Sequence, residues 1–454
     1  MSDGKDDLQR RRCDVLVIGG GPAGAATATL LARKGRDVVM IEKDRHPRFH
    51  IGESLLPRSL PLLEALGVLD QVRESVGVYK PGIDFYSDRH PNPHQTYYFR
   101  SAWDKSFPHA YEVRRSDFDQ LLFRNAASVG AETHEGLRVT ATEFRRGKHP
   151  LVHTRDEDGR ELDWEARFVV DASGRDTFLS SRLGLKRKNR KHASSAIYGH
   201  YRNVPRQPGD DEGNICLYWF DHGWFWLIPL RDGIMSVGAV CWPEYLKTRD
   251  CPPEEFLAKT LALSPQLAAR MKDAELEGKV RATGNFTYFS TTAAGDGYLL
   301  VGDAFAFLDP VFSSGVHLAL TSAFLAADAV DRILDNPNEA RRLSRAYERK
   351  LRRGMRRLSW FIYRFNTPAI QSLFMAPSNR FRMLEAVTSL FAGDVFRQTP
   401  MRRPIFLFRI VYYLSSLSKL RATLALRAQR RRNLAVQFTG GTTDVDKAAE
   451  HIPS

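Results

Sequence analysis

Residues 13–44 read CDVLVIGGGPAGAATATLLARKGRDVVMIEKD. Residues 14–18 are a short β-branched run, long enough for a buried parallel strand. The run enters Gly19-Gly20-Gly21-Pro22-Ala23-Gly24, which fits G-x-G-x-x-G. An Ala- and Leu-rich segment with good helix propensity follows over residues 25–34, and Gly35 ends it. Residues 38–41 form a second strand, with Glu42 at its C-terminal end. A dinucleotide site needs this arrangement. Gly19 permits the tight turn, and Gly21 lets backbone N–H groups approach a pyrophosphate at a helix N-terminus. Gly24 brings helix and strand together, and Glu42 accepts from a ribose hydroxyl. The stretch therefore predicts a dinucleotide-binding βαβ unit at the start of an α/β domain.

Outward from that unit, the chain has 454 residues, 43% hydrophobic and 26% charged, which excludes a disordered, collagen-like or disulfide-scaffold protein. Its length predicts two or three structural units, at ~150 residues per domain. Cys13, Cys216, Cys241 and Cys251 never form C-x-x-C, and no Cys/His spacing resembles a zinc site, so no metal and reduced thiols are expected. The start, MSDGKDDLQRRR, lacks the apolar region of a secretory leader, and no apolar run reaches the ~18 residues of a spanning helix. The expected location is cytoplasmic. The net charge of +14 is uneven: residues 336–435 hold 22 Lys and Arg against 4 Asp and Glu, so the rest of the chain is nearly neutral. Any acidic partner belongs to that basic region.

Three further segments, each by itself a common strand or helix pattern, bear on which dinucleotide is bound. Val113-x-Arg115-x-x-Phe118-Asp119 opens a predicted helix, and Phe168–Arg175 is a strand ending in an Asp/Gly turn. Residues 298–304, YLLVGDA, end another strand in Gly302-Asp303. Their order resembles the flavin monooxygenase superfamily built on the para-hydroxybenzoate hydroxylase fold. The resemblance implies an α/β (α+β) chain: a Rossmann-like FAD-binding domain with an inserted antiparallel-sheet substrate domain and a C-terminal helical region. It also implies that Asp303 contacts the FAD ribityl chain and that Arg115 and Pro310 lie near the cofactor. The expected boundaries are a flexible N-terminus over 1–12, an FAD-binding body over 13–335 with substrate-sheet portions at about 77–112 and 187–290, a basic helical region over 336–437, and a mobile tail over 438–454.

Gly223-Trp-Phe-Trp-Leu-Ile-Pro229 contains W-x-W-x-I-P, and on a strand Trp224 and Trp226 share one face. Together with GGGPAG, GESLLP at residues 52–57 and FLDPVFSSG at residues 307–315, it resembles the flavin-dependent halogenase family over roughly residues 13–335. The resemblance implies that Trp224 and Trp226 keep organic substrate from the flavin. It implies that Lys80, between Gly77 and a Pro81-Gly82 turn, is the essential lysine, holding hypohalous acid by a hydrogen bond or as an N-halo adduct. Halide, chloride or bromide, would bind at Ser313, Ser314 and Gly315, where a helix N-terminus follows. Reduced FAD would come from a separate flavin reductase. GESLLP and GWFWLIPL look more like the phenol and pyrrole halogenases than the longer tryptophan enzymes, so the substrate is an electron-rich aromatic, free or on an acyl- or peptidyl-carrier protein. The tryptophan enzymes' carboxylate near the lysine has no match here, and the general base stays unassigned.

Residues 336–435 read as several short helices cut by Pro368, Pro377, Pro400 and Pro404, with Leu343, Tyr347, Leu351, Met355 and Leu358 at helical spacing between arginines. They pack on the body as ordinary amphipathic helices, dock an acidic carrier protein, or touch an anionic membrane surface through residues 406–417. No nucleic-acid motif is present. Three readings compete with a halogenase: a flavin hydroxylase, a geranylgeranyl-reductase-like enzyme acting on an isoprenoid, and a non-enzymatic flavoprotein-like binder.

Overall fold

The computed structural model describes residues 10–284 and 287–435. Strand β1 (Arg10–Ile18) lies between β2 (Val38–Glu42) and the strand Glu161–Asp171, parallel to both, with Leu16 opposite Val39 and Val169. Such a strand is covered on both faces, which is why its inner half is continuously apolar rather than alternating. The sheet runs Ala294–Gly295, Tyr298–Leu300, Glu161–Asp171, β1, β2, Glu132–Glu135. Helix α1 (Pro22–Arg33) starts on Pro22, whose missing N–H is no loss at a first helical position, and packs on the long helix Ser314–Asp335. The N-terminus expected to be flexible through residue 12 is already sheet from Arg10: Arg10, Arg11 and Arg12 pair with Asp163, Trp164 and Glu165. The tail at 438–454 lies outside the described residues.

The segment around Lys80 is not the turn that its Gly and Pro residues suggest. Strand β3 (Gly77–Lys80) pairs antiparallel with β6 (Ala110–Val113); β4 (Gly82–Ser87) and β5 (His94–Tyr98) lie between them in the chain. Gly77 serves close approach, not flexibility. A Cβ there would lie 2.8 Å from both the Tyr111 ring and the Val72 carbonyl oxygen.

A second sheet runs Glu275–Thr283, Ser195–Arg202, Met235–Cys241, Gly223–Pro229, Ile215–Phe220, β4, β5. It is antiparallel except at one pair, where Ile215–Phe220 runs parallel to β4. Every residue of Gly223–Pro229 is buried. Trp224, Trp226 and Ile228 face one core, and Phe225 and Leu227 face the other.

The basic C-terminal helices close over the tryptophan face. Leu343, Tyr347 and Leu351 of helix Ala340–Ile362 join the core of the first sheet, and Tyr347 Oη donates to the Leu300 carbonyl at 2.6 Å. Farther on, Phe361, Phe365, Phe374, Phe391 and Phe408 pack with Phe85, Tyr97, Trp219 and Trp224 in one aromatic core. Tyr97 Oη donates to the Phe374 carbonyl at 3.0 Å. Among the described residues no helix is long and apolar enough to cross a membrane.

Phe374 is fully buried at the centre of this contact. Phe374→Ala is expected to destabilise the protein by ~3–5 kcal/mol, the usual figure for an aromatic removed from a packed core, read by denaturant unfolding.

Candidate active site

A cavity of about 400 Å³ lies between the two sheets. The sequence-selected residues Gly19, Gly21, Glu42, Arg115, Asp303, Pro310, Ser313, Ser314 and Gly315 line it, and so do Trp224 and Trp226. Gly24 and Lys80 do not.

The glycine turn is shaped as a dinucleotide cradle. Gly19 has φ +102°, and a Cβ there would meet the Ala172 carbonyl oxygen at 2.5 Å. A Cβ on Gly24 would sit 1.8 Å from the Gly19 carbonyl oxygen, so only glycine lets α1 start against the strand end. Glu42 fixes the turn from the next strand: its Oε2 accepts from Gly20 N–H at 2.7 Å and its Oε1 from Asp44 N–H at 3.0 Å. The carboxylate oxygens keep lone pairs for a ribose hydroxyl. These features fit a pyrophosphate and ribose, and the cation Arg48, invisible as a motif, stands beside them at 3.4 Å from Glu42 and 3.2 Å from Asp119. Arg115 forks onto Asp119 at 2.7 and 3.0 Å and donates to the Ile51 carbonyl at 2.9 Å. Burial pushes the Asp303 carboxyl up to about 6, against the pull of Arg175 and Arg115.

The indoles of Trp224 and Trp226 lie 6.0 Å apart, and Trp226 Nε1 donates to Ser236 Oγ at 3.2 Å. Gly238, on the neighbouring strand, makes room: a Cβ there would lie 2.4 Å from the Trp226 ring. The turn before helix Ser314–Asp335 is held by Asp309, whose carboxylate accepts from Val311 N–H at 3.1 Å, His192 Nε2 at 2.7 Å and Ser194 Oγ at 2.8 Å. Ser313 occupies the left-handed region at φ 52°. Its N–H is taken by the Pro310 carbonyl at 2.9 Å and its hydroxyl by Ser54, so of Ser313, Ser314 and Gly315 the last two carry the N–H groups of the helix start. No side chain caps that helix start, and the space above Gly315 is open.

Lys80 lies beyond the cavity wall and is wholly buried. Its Nζ donates to Ser54 Oγ at 2.6 Å and the Leu55 carbonyl at 3.1 Å, and Glu112 Oε1 lies 3.4 Å away, also wholly buried. Ser313 Oγ donates to Ser54 Oγ at 3.0 Å, so one hydroxyl pair connects the helix-start turn with the lysine. Burial pushes the lysine pKa below its ordinary value, opposed by Glu112; burial also pushes Glu112 up to about 7, opposed by Lys80. Glu53 of the same GESLLP segment pairs with His200 at 2.8 Å. Sequence reasoning missed Glu112, Ser54, Glu53 and His200; of these only Ser54 and Glu53 lay within a recognised motif.

Comparison with known proteins converges on this architecture. Residues 12–359 match the FAD binding domain family. The chain is 34% identical over 368 residues to a flavin-dependent halogenase of Penicillium aethiopicum, covering 75% of this chain and 68% of that one. It is 30% identical over 406 residues to a 1H-pyrrole-2-carbonyl-[peptidyl-carrier protein] chlorinase of Pseudomonas fluorescens, covering 84% and 89%. The chain belongs to the flavin-dependent halogenase family. It is also 35% identical over 348 residues to a tryptophan 2-halogenase of Chondromyces crocatus, covering 74% of this chain and 64% of that protein's length. The solved myxobacterial chondrochloren halogenase superposes with a TM-score of 0.74 at 30% identity, covering 85% of this chain and 100% of that one.

If Gly24 sets the cradle, Gly24→Ala forces the helix away from Gly19. The purified variant is expected to lose its bound flavin absorbance, with the wild type retaining it.

Proposed function

We propose that this chain halogenates an electron-rich aromatic carbon of a phenol or pyrrole, using FAD, O2 and chloride or bromide. One observation carries the reading: a wholly buried lysine, hydrogen-bonded through Ser54 to the Ser313 turn, stands behind the wall of a dinucleotide-shaped cavity that Trp224 and Trp226 line. Gly19, Gly21, Glu42, Arg48, Arg115 and Asp303 would hold FAD, and reduced FAD from a separate reductase supplies, with O2, the oxidation of halide to hypohalous acid. Ser314 and Gly315 N–H groups hold the halide at the open helix start. Trp224 and Trp226 bar the aromatic substrate from the cavity. Lys80 receives hypohalous acid and orients its halogen toward the substrate carbon. The apolar surroundings exclude water, which would otherwise solvate the oxidant away.

The test is mass spectrometry of turnover with a flavin reductase, NADH, O2 and bromide, offered phloroglucinol, other phenols and a carrier-loaded pyrrole-2-carbonyl thioester. Wild type is expected to give a bromine isotope doublet. Lys80→Met, retaining FAD, is expected to give none. A hydroxylated product without bromine overturns the reading.

A carrier-bound substrate is favoured by the surface of the C-terminal helices. Phe406, Ile410, Tyr413, Leu414 and Leu417 stand exposed along helix Arg402–Ser418, with Arg402 and Arg403 exposed at its start. No Asp or Glu occurs between residues 395 and 435. This basic, apolar face complements an acidic carrier domain. Arg402→Glu with Arg403→Glu is expected to raise KM for a carrier-loaded substrate by ~10-fold or more, in line with ~1.4 kcal/mol of lost charge attraction, and to leave KM for a free phenol unchanged. An equal change on both overturns the docking assignment.

A further inference from the structure

The position of Glu112 goes beyond any motif. Lys80 and Glu112 are diagonal neighbours on the inner face of the β3–β6 ribbon, because Lys80 pairs with Ala110 and side chains alternate. Both are wholly buried, and their charged atoms lie 3.4 Å apart. Phe99 lies under the ammonium at 5.5 Å. Ser54, whose Oγ accepts from Lys80, also acts on the Glu112 carboxylate by a hydrogen bond, so lysine, hydroxyl and carboxylate form one buried group. The remaining charge acting on Glu112 is Glu53, itself paired with His200. Tyr79, His109 and Tyr111 stack on the opposite face of the ribbon, with Arg73 acting on the latter two. An isolated buried ammonium would shed its proton; here one carboxylate opposes that loss.

We propose that Glu112 is the positioning residue that keeps Lys80 an ammonium and returns its proton during halogenation, which makes Lys80 the acid of the reaction. The step rests on the function proposed above, and it balances. The aromatic carbon takes the halogen from hypohalous acid, and the O–X bond breaks. The departing oxygen takes a proton from Lys80 and leaves as water. The ring proton lost on rearomatisation comes back to the Lys80–Glu112 pair, so the pair ends as it began. Ser54 holds Nζ in place for both transfers.

Removing the carboxylate therefore lowers the lysine pKa further. The signs follow from proton counting. A lysine whose folded pKa lies below its unfolded value binds fewer protons folded than unfolded, so stability rises with pH across that window. In Glu112→Gln the melting temperature, relative to wild type, is expected to climb by ~2–4 °C between pH 6 and pH 8, from ~1.4 kcal/mol per pH unit. The double variant Lys80→Met with Glu112→Gln is expected to lose the part of that slope above pH 7 and to keep only the part below it, which comes from removing Glu112 itself, a carboxyl whose folded value of about 7 makes wild-type stability fall with pH up to there. In turnover with bromide and phloroglucinol, or whichever probe wild type brominates, the alkaline limb of kcat for Glu112→Gln is expected to move down by at least ~1 pH unit. Glu112→Asp is expected to restore it in part. Superimposable pH–rate profiles, or a melting difference that is flat in pH, overturn the proposal. A wild type that brominates nothing overturns the halogenase reading instead, and the melting comparison still decides whether the pair shares its proton.

Discussion

Strand Gly223–Pro229 is buried at every position, and the site depends on that two-sided burial. With cores on both faces, a slip of one residue would move both tryptophans into the wrong core, so register is strongly specified. Trp224 lies opposite Trp219 and Val240, and Trp226 opposite Leu217 and Gly238. Gly238 completes the constraint, since any side chain there would overlap the Trp226 ring. The indoles are thus held in one arrangement before any ligand enters, and that arrangement is a wall of the cavity.

The same core explains the basic region. Phe365 packs 5.0 Å from Trp219, 5.7 Å from Phe312 and 6.1 Å from Trp224, so the C-terminal helices and the cavity wall are one packing problem. Their apolar faces are set by that contact. Their arginines are good helix formers, and some pack their heads on aromatic faces: the Arg364 guanidinium lies over the Trp360 ring at 4.5 Å and donates to the Trp360 carbonyl at 3.0 Å. Part of the positive charge is therefore accounted for by helix formation and packing on aromatic rings. Helix Arg402–Ser418 differs, because its apolar side chains also face outward.

The cofactor half of the fold was legible because its signals are local. Glycine spacing, strand length and the acid at the end of the second strand all lie within residues 13–44, and W-x-W shows its face by alternation alone. Lys80 was singled out only through its place among motifs. Gly77, Pro81 and Gly82 read as turn residues, yet Gly77 answers to the Tyr111 ring and the Val72 carbonyl, contacts that appear only once β3 and β6 pair. Glu112 is a single acid on a four-residue strand, and no periodicity distinguishes it from a surface glutamate. Of Ser313, Ser314 and Gly315, the Ser313 N–H closes a turn onto Pro310, a feature of backbone angle rather than residue type and so not legible in the sequence.

Two buried charge groups flank the cavity and are built on opposite plans. Around the glycine turn, Arg48 and Arg115 share Asp119, Arg48 also reaches Glu42, and Glu42 accepts from two backbone N–H groups. Arginine stays charged whatever its surroundings, so this group is a fixed field suited to holding a phosphate. Across the wall, Lys80 and Glu112 face each other with few other partners, and both are groups whose protonation burial can change. A buried ion pair of that kind contributes little to stability compared with apolar residues of the same volume. Its complete burial is therefore not explained by folding energetics, whereas the step proposed for Lys80 uses a group that can give one proton and recover another.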